Sequence, residues 1–251
     1  MTADDMVILT QEIALGYIIT GNKRVDQISA EGLEGLSRVL SARTSVEPAA
    51  PFGLDLEEDE LSFFPLLYWP ITQGQPTPSS VAYAQLNTYL RSGGVILFDT
   101  RDGDLSDLRS GANAMLVELT RPLDIPRLEP VAKDHVLTRS FYLLSEFPGR
   151  FKESTLWVQA SDGSDTTTDA MPFRRLNDGV TPVLIGGNDW ASAWAVDEVG
   201  RAKYPVGRGF AGERQREMAF RFGVNLVMHV LTGNYKSDQV HVPALLERLG
   251  Q

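Results

Sequence analysis

Asp99, Thr100, Arg101, Asp102, Gly103 and Asp104, with Asp107 just beyond, put several carboxylates on one short stretch. Carboxylates gathered in this way suit a hard cation, or supply a base for proton abstraction. The spacing is not the Asp-x-Asp-x-Asp-Gly of a calcium hand. Against both uses stands a plainer one, in which Asp99 caps backbone amides and Arg101 pairs with an acid, as turn aspartates commonly do. A second cluster is Gly186-Gly187-Asn188-Asp189-Trp190. Paired glycines let a ligand approach the backbone, and Asn and Asp offer oriented polar groups beside a stacking indole. The same residues also suit a tight hairpin with Trp190 and Trp194 packed in the core. Together with Trp69, the residues Asp99, Thr100, Arg101, Asn188, Asp189 and Trp190 form the candidate ligand-binding set. Asp99, Asp102 and His135 are the candidates for catalysis.

Other chemistries are excluded or weak. The chain has no cysteine, so disulfides, thiolate metal sites and cysteine nucleophiles are ruled out. Gly-x-Ser-x-Gly is absent, and Ser92 precedes its strand rather than following it. His135, His229 and His241 are too scattered for a metal triad, so no metal site and no cofactor are expected. His229 falls within the apolar pattern of the last helix and reads as a packed histidine. The run Glu57 to Glu60 reads as a solvated helix start. Arg214, Arg216 and Arg221 with Glu213 and Glu217 read as a solvated helix face; Arg214 could alternatively reach an anionic ligand at the helix start.

The elements that position these residues follow from periodicity. Leu86, Tyr89 and Leu90 share a helical face, Gly93-Gly94 ends that helix, and Val95-Ile96-Leu97-Phe98 is an unbroken apolar strand of the kind covered on both faces in a parallel sheet. Strands are also predicted at Ile13 to Ile19, Phe63 to Ile71, Leu156 to Val158 and Pro182 to Gly187, and more weakly at Ser45 to Pro48 and Phe141 to Leu144. Ala191 to Val196 is expected to be a hairpin partner. Helices are predicted from a cap at Asp26 or Ser29 to Arg43, from Asp107 to Leu119, from Glu213 to Gly233-Asn234, and over Val242 to Leu249. Ser161 to Asp169 reads as a mobile loop. Alternating strands and helices imply an α/β domain with a mostly parallel sheet, whose ligand crevice lies beyond the carboxyl ends of its strands.

A length of 251 residues fits a single domain spanning the chain. The formal charge of -10 would repel nucleic acid and anionic lipid, so no nucleic-acid partner is expected. The apolar runs are shorter than the roughly 20 residues a membrane helix needs, and no signal peptide is visible.

The passages FFPLLYWPI, YLRSGGVILFDTRDGD, DHVLTRSFYLLSEFPGRF, GGNDWASAWAVDE and GERQREMAFRFGVNLVMHVLTGNY resemble a bacterial domain of unknown function at the carboxyl end of aerotolerance-type (BatA-like) membrane proteins. The resemblance runs from about Glu12 to the end. Gly93-Gly94 with its strand, Asp134-His135 and Phe141 also look like the trehalose-utilisation (ThuA-like) branch of the class I glutamine amidotransferase-like fold. That likeness implies a flavodoxin-like three-layer sandwich. It further implies a soluble domain excised from an inner-membrane protein, with the anchor upstream of Met1 and the side of the membrane open. In the amidotransferase fold a cysteine stands on the turn after the central strand; here Asp99 or a neighbour takes that place, so glutamine hydrolysis is not expected. The resulting expectation is a non-catalytic or degenerate domain. It would bind a small polar ligand or a partner protein, including other subunits of a membrane-anchored cell-envelope assembly. The rival expectation is a hydrolase using Asp99 or Asp102 with a cation or with His135.

Overall fold

The computed structural model describes residues 3–103, 111–160 and 181–249. Its centre is a seven-stranded sheet in the order β2-β1-β3-β4-β7-β6-β5. The strands are β1 (Gly16–Ile18), β2 (Phe52–Leu54), β3 (Leu66–Pro70), β4 (Val95–Asp99), β5 (Leu128–Pro130), β6 (Trp157–Gln159) and β7 (Val183–Gly186). Every pairing from β2 through β7 is parallel, whereas β6 runs antiparallel to both β7 and β5. The three apolar runs that dominate the sequence therefore lie side by side as β3, β4 and β7. Their register pairs Pro70 with Asp99 and Asp99 with Gly186, so the strands end together.

Helices cover both faces of the sheet. They are α1 (Ala3–Gln11), α2 (Lys23–Arg43), α3 (Ser80–Arg91), α4 (Gly111–Thr120), α5 (Trp190–Trp194) and α6 (Gly209–Leu249). Alternation along each strand sends Leu66, Tyr68, Val95, Leu97 and Leu184 to the face packed by α2, α5 and α6. Leu67, Trp69, Ile96, Phe98 and Val183 face α3, α4 and Leu9 of α1. With both faces buried, the central strands carry no polar alternation until Asp99.

Several boundaries differ from expectation, each for a local reason. The cap of α2 is Asn22, whose side chain accepts from the amides of Arg24 and Val25; Asp26 instead ties back to the amide and hydroxyl of Thr20. The strand expected at Ser45 to Pro48 forms later, as β2. The first strand keeps only Gly16–Ile18, in the later half of its predicted run. The acidic residues open a 3-10 turn rather than an α-helix: Glu60 caps the short 3-10 helix at Leu61–Phe63, and Glu57 accepts from the Ser79 amide and hydroxyl. No strand forms at Phe141 to Leu144. The predicted hairpin at Ala191 to Val196 is the helix α5. The last helix continues through Gly233 to Leu249 as one 41-residue backbone, with no separate tail helix. Asp104, Asp107 and the loop from Ser161 to Asp169 lie outside the described residues.

Candidate functional site

Asp99 is the last residue of β4, and the strand's alternation turns its side chain to the α5 face, where it is fully buried. Four donors surround it. Oδ1 accepts from the amides of Arg101 at 3.0 Å and Asp189 at 3.1 Å; Oδ2 accepts from the Trp190 amide at 2.8 Å and the Tyr68 hydroxyl at 2.9 Å. The first-turn amides of a helix need an acceptor, and α5, whose own Asp189 gives no side-chain cap, takes it from the neighbouring strand. Burial, and then the Asp189 carboxylate, push Asp99 up to about 7, opposed by the Trp190 amide, the Tyr68 hydroxyl and the charge of Arg101. The same burial, with Asp99 alongside, raises the Tyr68 phenol well above its ordinary value.

Both residues flanking this carboxylate are left-handed without being glycine: Arg101 has φ 62° and Asp189 φ 52°. Such backbone costs energy and persists where the surroundings enforce it. Here the enforcing contact is common to both, since Oδ1 of Asp99 takes the amide of each. Their side chains then meet: Arg101 Nε lies 3.1 Å from Asp189 Oδ1, while Arg150 Nη1 lies 3.5 Å from Asp189 Oδ2. Asp189 is 1% exposed, and these two guanidinium groups are its ion-pair partners.

Arg150 belongs to a third loop, 147–154, which begins inside the family-like passage ending at Phe151 but carries no candidate site residue from the sequence. It is bound closely to the β7–α5 turn. The amides of Arg150 and Phe151 donate to the carbonyls of Asp189 and Asn188, and the side-chain amide of Asn188 donates to the carbonyls of Phe147 and Ser154. Asn188 Oδ1 accepts the Ser154 amide at 3.1 Å, and Gln215 of α6 donates to the carbonyls of Gly149 and Arg150. A side chain at Gly149 would overlap the Asn188 carbonyl, so glycine is required for this approach. That glycine, in the passage Phe147-Pro148-Gly149-Arg150, was the available signal.

The structure brings together Asp99, Thr100, Arg101, Asp102, Asn188, Asp189 and Trp190, but most of them are occupied internally. Asn188 is spent on the 147–154 loop. Trp190 is not a stacking surface: it is fully buried against Phe222, and its indole N–H donates to the Phe147 carbonyl at 3.1 Å. Thr100 donates to Asp102 at 2.6 Å. Trp69 lies on the opposite face of the sheet, stacked on Phe98, so it does not join the cluster. His135 is also elsewhere. It caps a 3-10 turn at Val136–Thr138 through Nδ1 and lies 5.9 Å, ring to ring, from His229 on α6. His229 is buried, as the helical pattern implied. The side chains that remain to meet a ligand are Arg101, 16% exposed, Arg150, 40% exposed, and the exposed Asp102.

Elsewhere the charges are consumed in packing. Glu217 pairs with Arg43 of α2 and with Arg221, and Arg216 donates to the carbonyls of Ala193 and Tyr204; Arg214 stays exposed. A groove of about 640 Å³ beside α2 is lined by Glu31, Glu34, Arg38 and Lys203, which pair with one another. Among the described residues no group of three or more His, Asp or Glu side chains is placed to hold a metal ion. No helix among them is long and apolar enough to cross a membrane.

These features define an α/β domain whose polar loops meet at the carboxyl ends of adjacent parallel strands, the place where open sheets of this kind put their ligands. Residues 14–231 match the family described as a domain of unknown function, DUF4159, and the chain belongs to that family. Comparison with curated proteins gives no match.

Proposed function

We propose that this domain is a degenerate, non-hydrolytic version of the class I glutamine amidotransferase-like fold, ThuA-like in its branch. It uses the loop junction beyond β4 and β7 to bind a small polar ligand or a partner protein, within a membrane-anchored assembly of the cell envelope. The observation that carries this reading is the state of Asp99. At the strand exit where that fold places its cysteine nucleophile, this chain has a carboxylate with both oxygens committed to internal donors. Such a group organises loops; it does not attack a substrate. The rival reading, a hydrolase using Asp99 or Asp102 with a cation or with His135, is disfavoured in its His135 form, because His135 caps its own turn and lies against His229.

The test pairs two measurements on the purified chain. Ammonia release from glutamine should be absent, and thermal unfolding followed with trehalose, adenosine, glutamine and inorganic phosphate should rise with at least one of them, since a ligand bound only by the native state stabilises it. Ammonia release would overturn the non-hydrolytic reading. A flat thermal response would remove the small ligand and leave partner binding as the use of this surface.

A further inference from the structure

We propose that the junction beyond β4 and β7 binds an oxyanion, a carboxylate or phosphate group on a small molecule, between the guanidinium groups of Arg101 and Arg150. This rests on the ligand-binding reading above and gives its ligand a chemical class. One buried carboxylate requires one counter-charge, yet Asp189 has two, one on each oxygen. Asp99 takes its four hydrogen bonds from three backbone amides and a phenol, so neither guanidinium is bonded to it, although it feels the charge of Arg101. The guanidinium at 3.5 Å is therefore the looser of the two partners of Asp189, beside the pair at 3.1 Å.

Among the described residues the donors are also unspent. Arg101 commits only Nε to Asp189, and its two terminal nitrogens make no hydrogen bond to any described residue. A guanidinium presents those N–H groups as a flat fork that matches carboxylate and phosphate oxygens, and leaving them unpaired in a largely buried side chain is unfavourable. Among the described residues Arg150 makes only its long contact to Asp189 and lies over the Phe151 ring at 5.6 Å, with its side chain 40% exposed. The left-handed backbone of Arg101 fixes where its fork sits, a strain that Asp99 maintains.

A further donor stands at the same junction. Gly187 has no side chain where Thr100, Asp102 and Ser154 converge: a Cβ there would lie 2.7 Å from Thr100 Oγ1 and 3.2 Å from Ser154 Oγ. Ser154 Oγ is buried without a hydrogen-bond partner among the described residues. Asp102 is the opposing charge, and it turns an oxygen to the Thr100 hydroxyl.

Isothermal titration of the full chain with inorganic phosphate, malonate and, as a neutral probe, trehalose tests the assignment. Phosphate or malonate should bind at a single site, and the preferred one distinguishes a phosphate from a carboxylate ligand. Arg150→Gln should weaken that binding at least tenfold and Arg150→Lys less, while melting temperature changes little because Arg101 still neutralises Asp189. Arg101→Lys, which keeps the charge and loses the fork, should also weaken it. Anion binding unchanged in Arg150→Gln and Arg101→Lys would overturn the assignment. Binding of trehalose with no anion bound would overturn it too, while leaving the ligand-binding reading intact. No binding by any probe would overturn both the assignment and the small-ligand reading.

Discussion

Tyr68 shows how one side chain can hold two loops it does not touch. Its hydroxyl is one of four donors on Asp99, and the other three are the amides of Arg101, Asp189 and Trp190. Hydrogen bonds to a charged acceptor are worth more than neutral ones, and a buried acceptor left short of a donor loses most. Tyr68→Phe should therefore lower stability by about 1.5–3 kcal/mol, read from urea denaturation with an unchanged slope. The ring itself keeps its edge contact with Trp194, so packing loss contributes little. If the variant is as stable as the parent, Asp99 does not depend on the phenol and the four-donor arrangement is wrong.

At the scale of elements, α5 is the piece that the rest of the site is fitted around, and α2 approaches it through two glycines. A side chain at Gly32 would run into the backbone of Ala191, and one at Gly35 into the carbonyl of Trp194. Alanine in place of an internal helical glycine ordinarily stabilises by about 1 kcal/mol. Here the obstacle is backbone rather than a flexible side-chain end, and overpacking of this kind costs about 1–3 kcal/mol or more. The clash should win, so Gly35→Ala is expected to lower the melting temperature, and a raised one would mean that α2 and α5 can separate freely. The same element marks the limit of sequence reading. β3, β4 and β7, their parallel order and the exits at Asp99 and Gly186 were legible because an unbroken apolar run of strand length that ends in a polar turn fits a strand covered on both faces and little else. Residues 191–196 were misread because five residues, Trp-Ala-Ser-Ala-Trp, are too short to show a helical period, and their cap comes from Asp99 on another strand. Arg150 is hidden from sequence reading for a similar reason. Its significance lies in reaching Asp189, 39 positions away, and no local pattern announces such a pair. Trp69 and Trp190 suggest a ligand surface by residue type, but large aromatics beside a strand exit also fill cores, and both do so here.

For the whole molecule, two buried groups set opposite slopes of stability against pH. His229 is 2% exposed, and burial, with His135 adding a smaller push, lowers it to about 4. The unfolded chain takes up that proton near pH 6.5 while the folded chain refuses it until about 4. Stability is therefore lost as pH falls across that window, by up to about 3 kcal/mol. Asp99 acts the other way. Its folded value is raised, so between about 7 and the ordinary carboxylate range the native state holds a proton that the unfolded state has released, and acidification favours folding. The two windows overlap, so the parent can show a shallow profile above pH 4 even though neither group is indifferent to pH. Subtraction separates them. His229→Gln removes one titration and leaves Asp99, and no contact links the two side chains, so their effects should add. Parent stability minus variant stability, from denaturation curves at pH 7, 6, 5 and 4, should decline steadily toward acid by about 3 kcal/mol in total. His135, also lowered by burial but only half-buried and flanked by Asp134 and Glu129, titrates in both proteins and changes the difference only through its smaller coupling to His229. A difference that stays constant across the range would mean that His229 is as accessible to protons in the folded chain as in the unfolded one, which its position inside the core between α6 and the turn at Val136–Thr138 does not allow.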